Sequence, residues 1–281
     1  MIHESALLVE LSIGVWTAKK TDKKVSNEVD TAKNTRTKAG NYNKSLLAGT
    51  ASKLEQINKL ASSVRVWHYG QTLPWSDNGA RLLPMGLFLD YKLQLEAYKL
   101  EFETLVNAFL VEYPTLISGA ALTLGDLFDR EEYPEAGSIA RKFAFTVGYL
   151  PVPAAGDFRV DVGTLHLQEL QESLNAAGAA RLEAAMKQAW DRLYDALQHL
   201  STRLDIPAEG KKPVFRDSMV SNAVDLCNLL TSLNITGDNA LEQRRQMLEA
   251  ALVGIDAPLL RDVDSVRTEL KSKVDNILDM M

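Results

Sequence analysis

The chain has 281 residues, 46% of them hydrophobic, a net charge of −6 and one cysteine. That size and apolar content support a folded core, and a lone Cys227 excludes an intramolecular disulfide framework or a multi-cysteine zinc site. Residues 1–66 hold 11 Lys/Arg against 6 Asp/Glu, whereas the rest holds 20 against 31, so a basic N-terminal region precedes an acidic body.

Val9, Leu11, Ile13 and Val15 alternate with polar or small residues, which predicts a strand with one buried face. Asp22 is placed to cap a helix carrying Val25, Val29 and Ala32 on one side. Residues 33–45, KNTRTKAGNYNKS, have little apolar surface and read as an exposed helical stalk or a basic loop. The helical spacing resumes at Leu46, Leu54, Ile57, Leu60 and Val64. Between Gln71 and Pro84, QTLPWSDNGARLLP combines two prolines, Trp75 and an Asp77-Asn78-Gly79 turn, and predicts a fixed corner between helices.

Leu87, Tyr91, Leu95, Tyr98, Phe102, Leu105 and Phe109 define a strong core helix expected to stop before Pro114, where a shorter helix opens and runs to about Phe128. Alternation over Phe143–Tyr149 and Phe158–Val162 predicts a hairpin, which the N-terminal strand completes as a small sheet. Residues 165–204 are helical with a seam at Leu182, Met186, Leu193, Leu197, Leu200 and Leu204, and Asn175–Gly178 is a candidate break. Helices are expected near 217–233, 238–252 and 258–279. The fold class is therefore mainly α, with long antiparallel, coiled-coil-like helices and a small β-hairpin or three-stranded β-element. The β-element draws on residues 6–17, 142–149 and 157–163, within one elongated domain over 1–281 whose C-terminal helical subdomain covers about 214–281. The seam either closes within the chain or is shared between copies.

Catalytic patterns are missing. His3, His68, His166 and His199 lack metal-ligand spacing, GNYNKS over 40–45 lacks the glycine that a phosphate loop needs before Lys44, and neither a nucleophile elbow nor a dinucleotide fingerprint occurs. Asp126, Asp129, Glu131, Glu132 and Glu135 are carboxylates of the type that hold magnesium or calcium, but also fit a solvated helix end. We expect no enzyme, no metal and no cofactor. Lys19, Lys20, Lys23, Lys24, Lys33, Arg36, Lys38 and Lys44 form a basic stretch suited to phosphates, with Tyr42 or Trp16 as stacking rings. Trp75, Asp77 and Arg81 in the corner form a candidate docking surface for a protein, or else tie the turn to the next helix.

The segments TLPWSDNGARLLP, VEYP, LGDLFDREEYP and PVPAAGDFRV together resemble an uncharacterised family of tailed-bacteriophage and mobile-element proteins, sometimes encoded near MoxR-type AAA+ ATPases. The likeness spans roughly residues 5–235 and implies a phage context without an activity or site residues. The expected function is a self-assembling, non-enzymatic protein binding nucleic acid, single-stranded DNA at replication or recombination structures. The alternative is a protein-interaction module, an AAA+ adaptor or an inhibitor of a host defence system. Without an unbroken run of about 18 apolar residues or a leader peptide pattern, the chain is expected in the cytoplasm of a bacterial host, without a membrane partner.

Overall fold

A computed structural model describes residues 2–49, 51–76, 79–153, 164–205 and 216–281. The protein is 68% helical with small antiparallel sheets, so the mainly α class with a minor β-element holds. The chain divides into two compact units, one comprising Met1–Glu10, Tyr69–Tyr91 and Gly148–Met281, the other Leu11–His68 and Lys92–Val147.

After a single turn, α1 (Ile2–Ser5), strand β1 spans Ala6–Gly14. The corner is not a bare turn but a short hairpin, β4 (Leu73–Pro74) and β5 (Arg81–Pro84), pairing Leu73 with Leu82 and Pro74 with Arg81. The sheet order is β4-β5-β1-β6, where β6 covers Ala144–Leu150, and β5 pairs antiparallel to β1 from Ala6↔Pro84 to Val9↔Arg81. The sequence therefore names two of these strands correctly and misses the pair in the corner, because two to four residues are too few to display a period. The expected second hairpin strand, 157–163, lies outside the described residues.

In the first unit, α6 (Thr164–Leu204) runs unbroken through Asn175–Gly178, about 60 Å at 1.5 Å per residue. Helix propensity of the flanking alanines outweighs the single Gly178. Its seam residues Met186, Leu193, Leu197, Leu200 and Leu204 are buried, covered by α7 (Ser218–Leu233) and α10 (Asp264–Leu278) of the same chain. Cys227 is fully buried in that core. The last expected helix is two, α9 (Ala257–Asp262) and α10, separated at Val263, and α8 covers Asn239–Leu252.

In the second unit, α3 (Ser52–Gln71) begins later than Leu46 predicts, because Leu46 and Leu47 bury themselves in the segment preceding it. Helix α4 is one element, Phe88–Leu124, with Pro114 inside it. Pro114 does not end it, because Tyr113, Ile117 and Ala120 continue the stripe of Phe102, Val106 and Phe109 into the core, and that burial outweighs one lost backbone bond. Trp16 packs its ring on Phe109 and Tyr113. Among the described residues, the helical stretch Met85–Leu127 is long and apolar enough to cross a membrane, and its most apolar window is only 22% buried. Leu93, Leu100, Val111 and Leu122 stand exposed along it.

Candidate nucleic-acid interface

The basic stretch folds as a small β-α-β module. Strand β2 (Lys19–Asp22) pairs antiparallel with β3 (Tyr42–Ser45), with Lys20 opposite Lys44 and Asp22 opposite Tyr42. Between them lies α2 (Lys23–Ala32), capped as expected by Asp22, whose carboxylate accepts from the amides of Lys24 and Val25 at 3.0 and 3.1 Å. The expected apolar stripe of α2 is not buried: Val29 is 51% exposed and the buried residue is Ser26. Ser26 docks the helix by polarity instead. Its hydroxyl donates to the Asp22 carbonyl and accepts from the Tyr42 amide.

Residues 33–41 are neither helix nor strand. Asn34 takes a left-handed backbone with φ of 54°, which asparagine tolerates, and folds the chain back over α2. Asp30 fastens that return, its carbonyl accepting from the Thr35 amide and its carboxylate from the Ala39 amide.

The outward consequence is charge. Lys19, Lys20, Lys23, Lys24, Lys33, Arg36 and Lys38 are all exposed on this module. Of these, Lys20 alone makes an ion pair among the described residues, at 3.7 Å from Glu132. Tyr42 is 40% exposed beside a cleft of about 310 Å³ that Val29, Asp30 and Lys33 also line. Cations with one free ring and an adjoining cleft are suited to a phosphate backbone and an unpaired base.

Two predicted members do not belong to this surface. Lys44 is 5% exposed and pairs with Glu132 at 2.6 Å and Asp22 at 3.1 Å, while its ammonium donates to the Leu127 carbonyl. Burial opposes its charge, but the bonds to Glu132 and Asp22 outweigh it and its pKa is raised. Trp16 is buried in the aromatic cluster and unavailable for stacking. Both errors come from partners far along the chain: Glu132 draws Lys44 into an inward-facing ion pair, and Phe109 and Tyr113 take Trp16 into the core.

The acidic stretch does not converge on a metal-like centre. Asp129 accepts from the Glu131 amide and Glu132 turns to the lysines, and among the described residues no three His, Cys, Asp or Glu groups cluster for a metal ion. His68 is buried on α3 and His199 is exposed on α6.

In the corner, Trp75 is 7% exposed and belongs to the core, so it is no docking anchor. Arg81 ties the hairpin together: Nε donates to Thr72 Oγ1 at 2.7 Å, Nη2 donates to the Thr72 carbonyl at 3.1 Å, and the guanidinium lies 4.7 Å from the Tyr69 ring centre. Asp77 lies outside the described residues. Arg192, missed by sequence reasoning, donates to the carbonyls of Tyr69, Gly70 and Thr72 at 2.7–2.8 Å and so caps the end of α3. Only the folding of α6 beside the corner reveals it.

The fold and this module define a mainly helical protein with a compact cationic β-α-β surface. Comparison with protein-family models, curated proteins and solved structures finds no match to the chain.

Proposed function

We propose that the protein binds nucleic acid without catalysis, through the β2-α2-β3 module, with preference for single strands. The observation that carries this reading is the set of seven exposed cations on one small module, six of them without a carboxylate partner among the described residues. Lys19, Lys20, Lys23, Lys24, Lys33, Arg36 and Lys38 supply phosphate contacts, and Tyr42 stacks on a base seated in the adjoining cleft. The acidic remainder of the chain disfavours coating of duplex by a lone copy, so self-assembly that gathers the modules belongs to the proposal. The phage context implied by the sequence resemblance fits replication or recombination structures.

Fluorescence polarisation with labelled single-stranded and duplex DNA across a salt series tests it. We expect tighter binding to single strands and a log-log slope of about −0.7 per phosphate contacted. Binding that ignores salt, or that survives Lys33→Glu, Arg36→Glu and Lys38→Glu together, rejects the reading.

A second reading, a protein-interaction module such as an AAA+ adaptor or defence inhibitor, is favoured by the exposed Leu93, Leu100, Val111 and Leu122 of α4. Those side chains are apolar and spaced by 7, 11 and 11 residues, which returns them to one helical face. Docking through this face, not through the buried Trp75, is what Leu100→Lys with Val111→Lys would abolish in a pull-down.

A further inference from the structure

Among the described residues, the arginines at the corner of the first unit form no ion pair, although the Glu10 carboxylate lies close to Gly79. Arg81, Arg181 and Arg192 have no carboxylate within ion-pair distance among the described residues, and all hydrogen bonds of Arg81 and Arg192 there go to neutral acceptors. Arg192 is explained by the carbonyls at the end of α3, whose partial negative charge it meets. Arg81 is only partly explained. Its Nε and Nη2 are engaged with Thr72 and Gln188, leaving Nη1 without an acceptor among the described residues. Arg181 makes no hydrogen bond there at all, and its guanidinium lies over the Trp75 ring, 5.8 Å from the centroid.

Arg81 and Arg181 line one cleft of about 550 Å³ with Pro74, Trp75, Ala180 and Ala184. That volume lies in the range of small-ligand sites. Ala180 and Ala184, one turn apart on α6, leave the space that longer side chains would occupy. Burial already weakens the protonated form of Arg81, and burial together with repulsion from Arg81 brings Arg192 down to about 10. A bound anion would relieve that repulsion, and a guanidinium fork offers paired donors in the geometry of a carboxylate or phosphate.

We propose that this cleft binds a small organic oxyanion, its phosphate or carboxylate group between Arg81 and Arg181 and its apolar body against Pro74 and the two alanines. The proposal is independent of the nucleic-acid reading, because the cleft and the cationic module draw on different residues.

Calorimetric titration and thermal shift of the full chain test it with phenyl phosphate, benzoate, inorganic phosphate and neutral benzyl alcohol as probes. Phenyl phosphate or benzoate should bind and raise Tm, benzyl alcohol should do neither, and the stronger of the two anions identifies the group recognised. Arg181→Gln removes no hydrogen bond among the described residues and only the long contact with the Trp75 ring, so unliganded Tm should fall little while affinity falls about tenfold or more. Ala184→Leu should block the cleft while keeping its charge. Failure of every anion to bind at millimolar concentration overturns the site, as does unchanged affinity in both variants.

Discussion

The ammonium of Lys44 on β3 sits 2.6 Å from the carboxylate of Glu132, in the 3-10 turn Arg130–Glu132, and the same carboxylate lies 3.7 Å from Lys20. Two lysines placed opposite one another across the ribbon would repel, and Glu132 compensates both. The pair also joins the module to the turn, where the Tyr133 hydroxyl donates to the Leu46 carbonyl at 2.6 Å.

Lys44→Met should therefore lower stability by about 3 kcal/mol, since it takes the closest cation from the little-exposed Glu132 and one of the partners of Asp22. The Val25 amide first, and then Lys44, hold the Asp22 carboxyl below its usual range. Its contribution is present above the unfolded value of 3.8 and is lost as pH falls through the lower folded value. Lys44 is raised, so its contribution is complete below the unfolded value of 10.5 and is lost as pH rises through the folded one. Urea melts of both proteins should thus differ by a constant amount across the neutral range and converge only as pH falls below 3.8 or rises above 10.5. Single-stranded DNA affinity should not change.

Lys23→Gln with Lys24→Gln should reduce the salt slope of DNA binding by about 1.4, at about 0.7 for each lost contact, with an unchanged circular dichroism melt. Tyr42→Ala should weaken single-strand binding by about 1–3 kcal/mol and leave the slope intact, because stacking releases no counterions. Equal loss in both slope and affinity for Tyr42→Ala would place the ring in the fold instead.

Burial pushes the Cys227 thiol up to about 11 from a reference of 9.0. A thiol that remains protonated and fully buried is a poor nucleophile. Ellman's reagent at pH 8 should find no reactive thiol in the native protein and one in urea. Native labelling at the rate of an exposed cysteine would contradict the buried position.

Arg267 on α10 is 2% exposed and closes the end of α6, donating Nε to the Leu204 carbonyl at 3.0 Å and Nη2 to the carbonyls of Arg203 and Asp205 at 2.6 and 2.9 Å. Arg267→Met keeps the apolar stem but leaves those acceptors bare, and should cost about 3 kcal/mol in urea denaturation. A loss under about 1 kcal/mol would mean that water replaces the guanidinium.

Pro114 lies exposed in the middle of α4. Pro114→Ala restores a backbone donor and should raise stability by about 1 kcal/mol or more, read as a higher Tm. A lower Tm would show that the helix has adapted its path to the ring.

Long periodic runs in the amino-acid sequence determined the helices of the core, since burying every third or fourth side chain requires a repeating pattern over many turns: Leu182 to Leu204 and Tyr91 to Phe109 are read directly from spacing. Asp22 as a cap was equally legible, because the bond it makes reaches only three residues. The β2/β3 ribbon and the continuity of α4 through Pro114 were not, since each depends on partners distant in sequence that outweigh a weak local preference, and the corner hairpin was not, because its strands are too short to show a period. The candidate interface divides on the same line. Seven of its eight cations could be named from composition alone, but the inward turn of Lys44, the burial of Trp16 and Trp75, and the meeting of Arg81 with Arg192 were decided by tertiary structure, because ion pairing and desolvation act between groups that only the folded chain brings within a few ångströms.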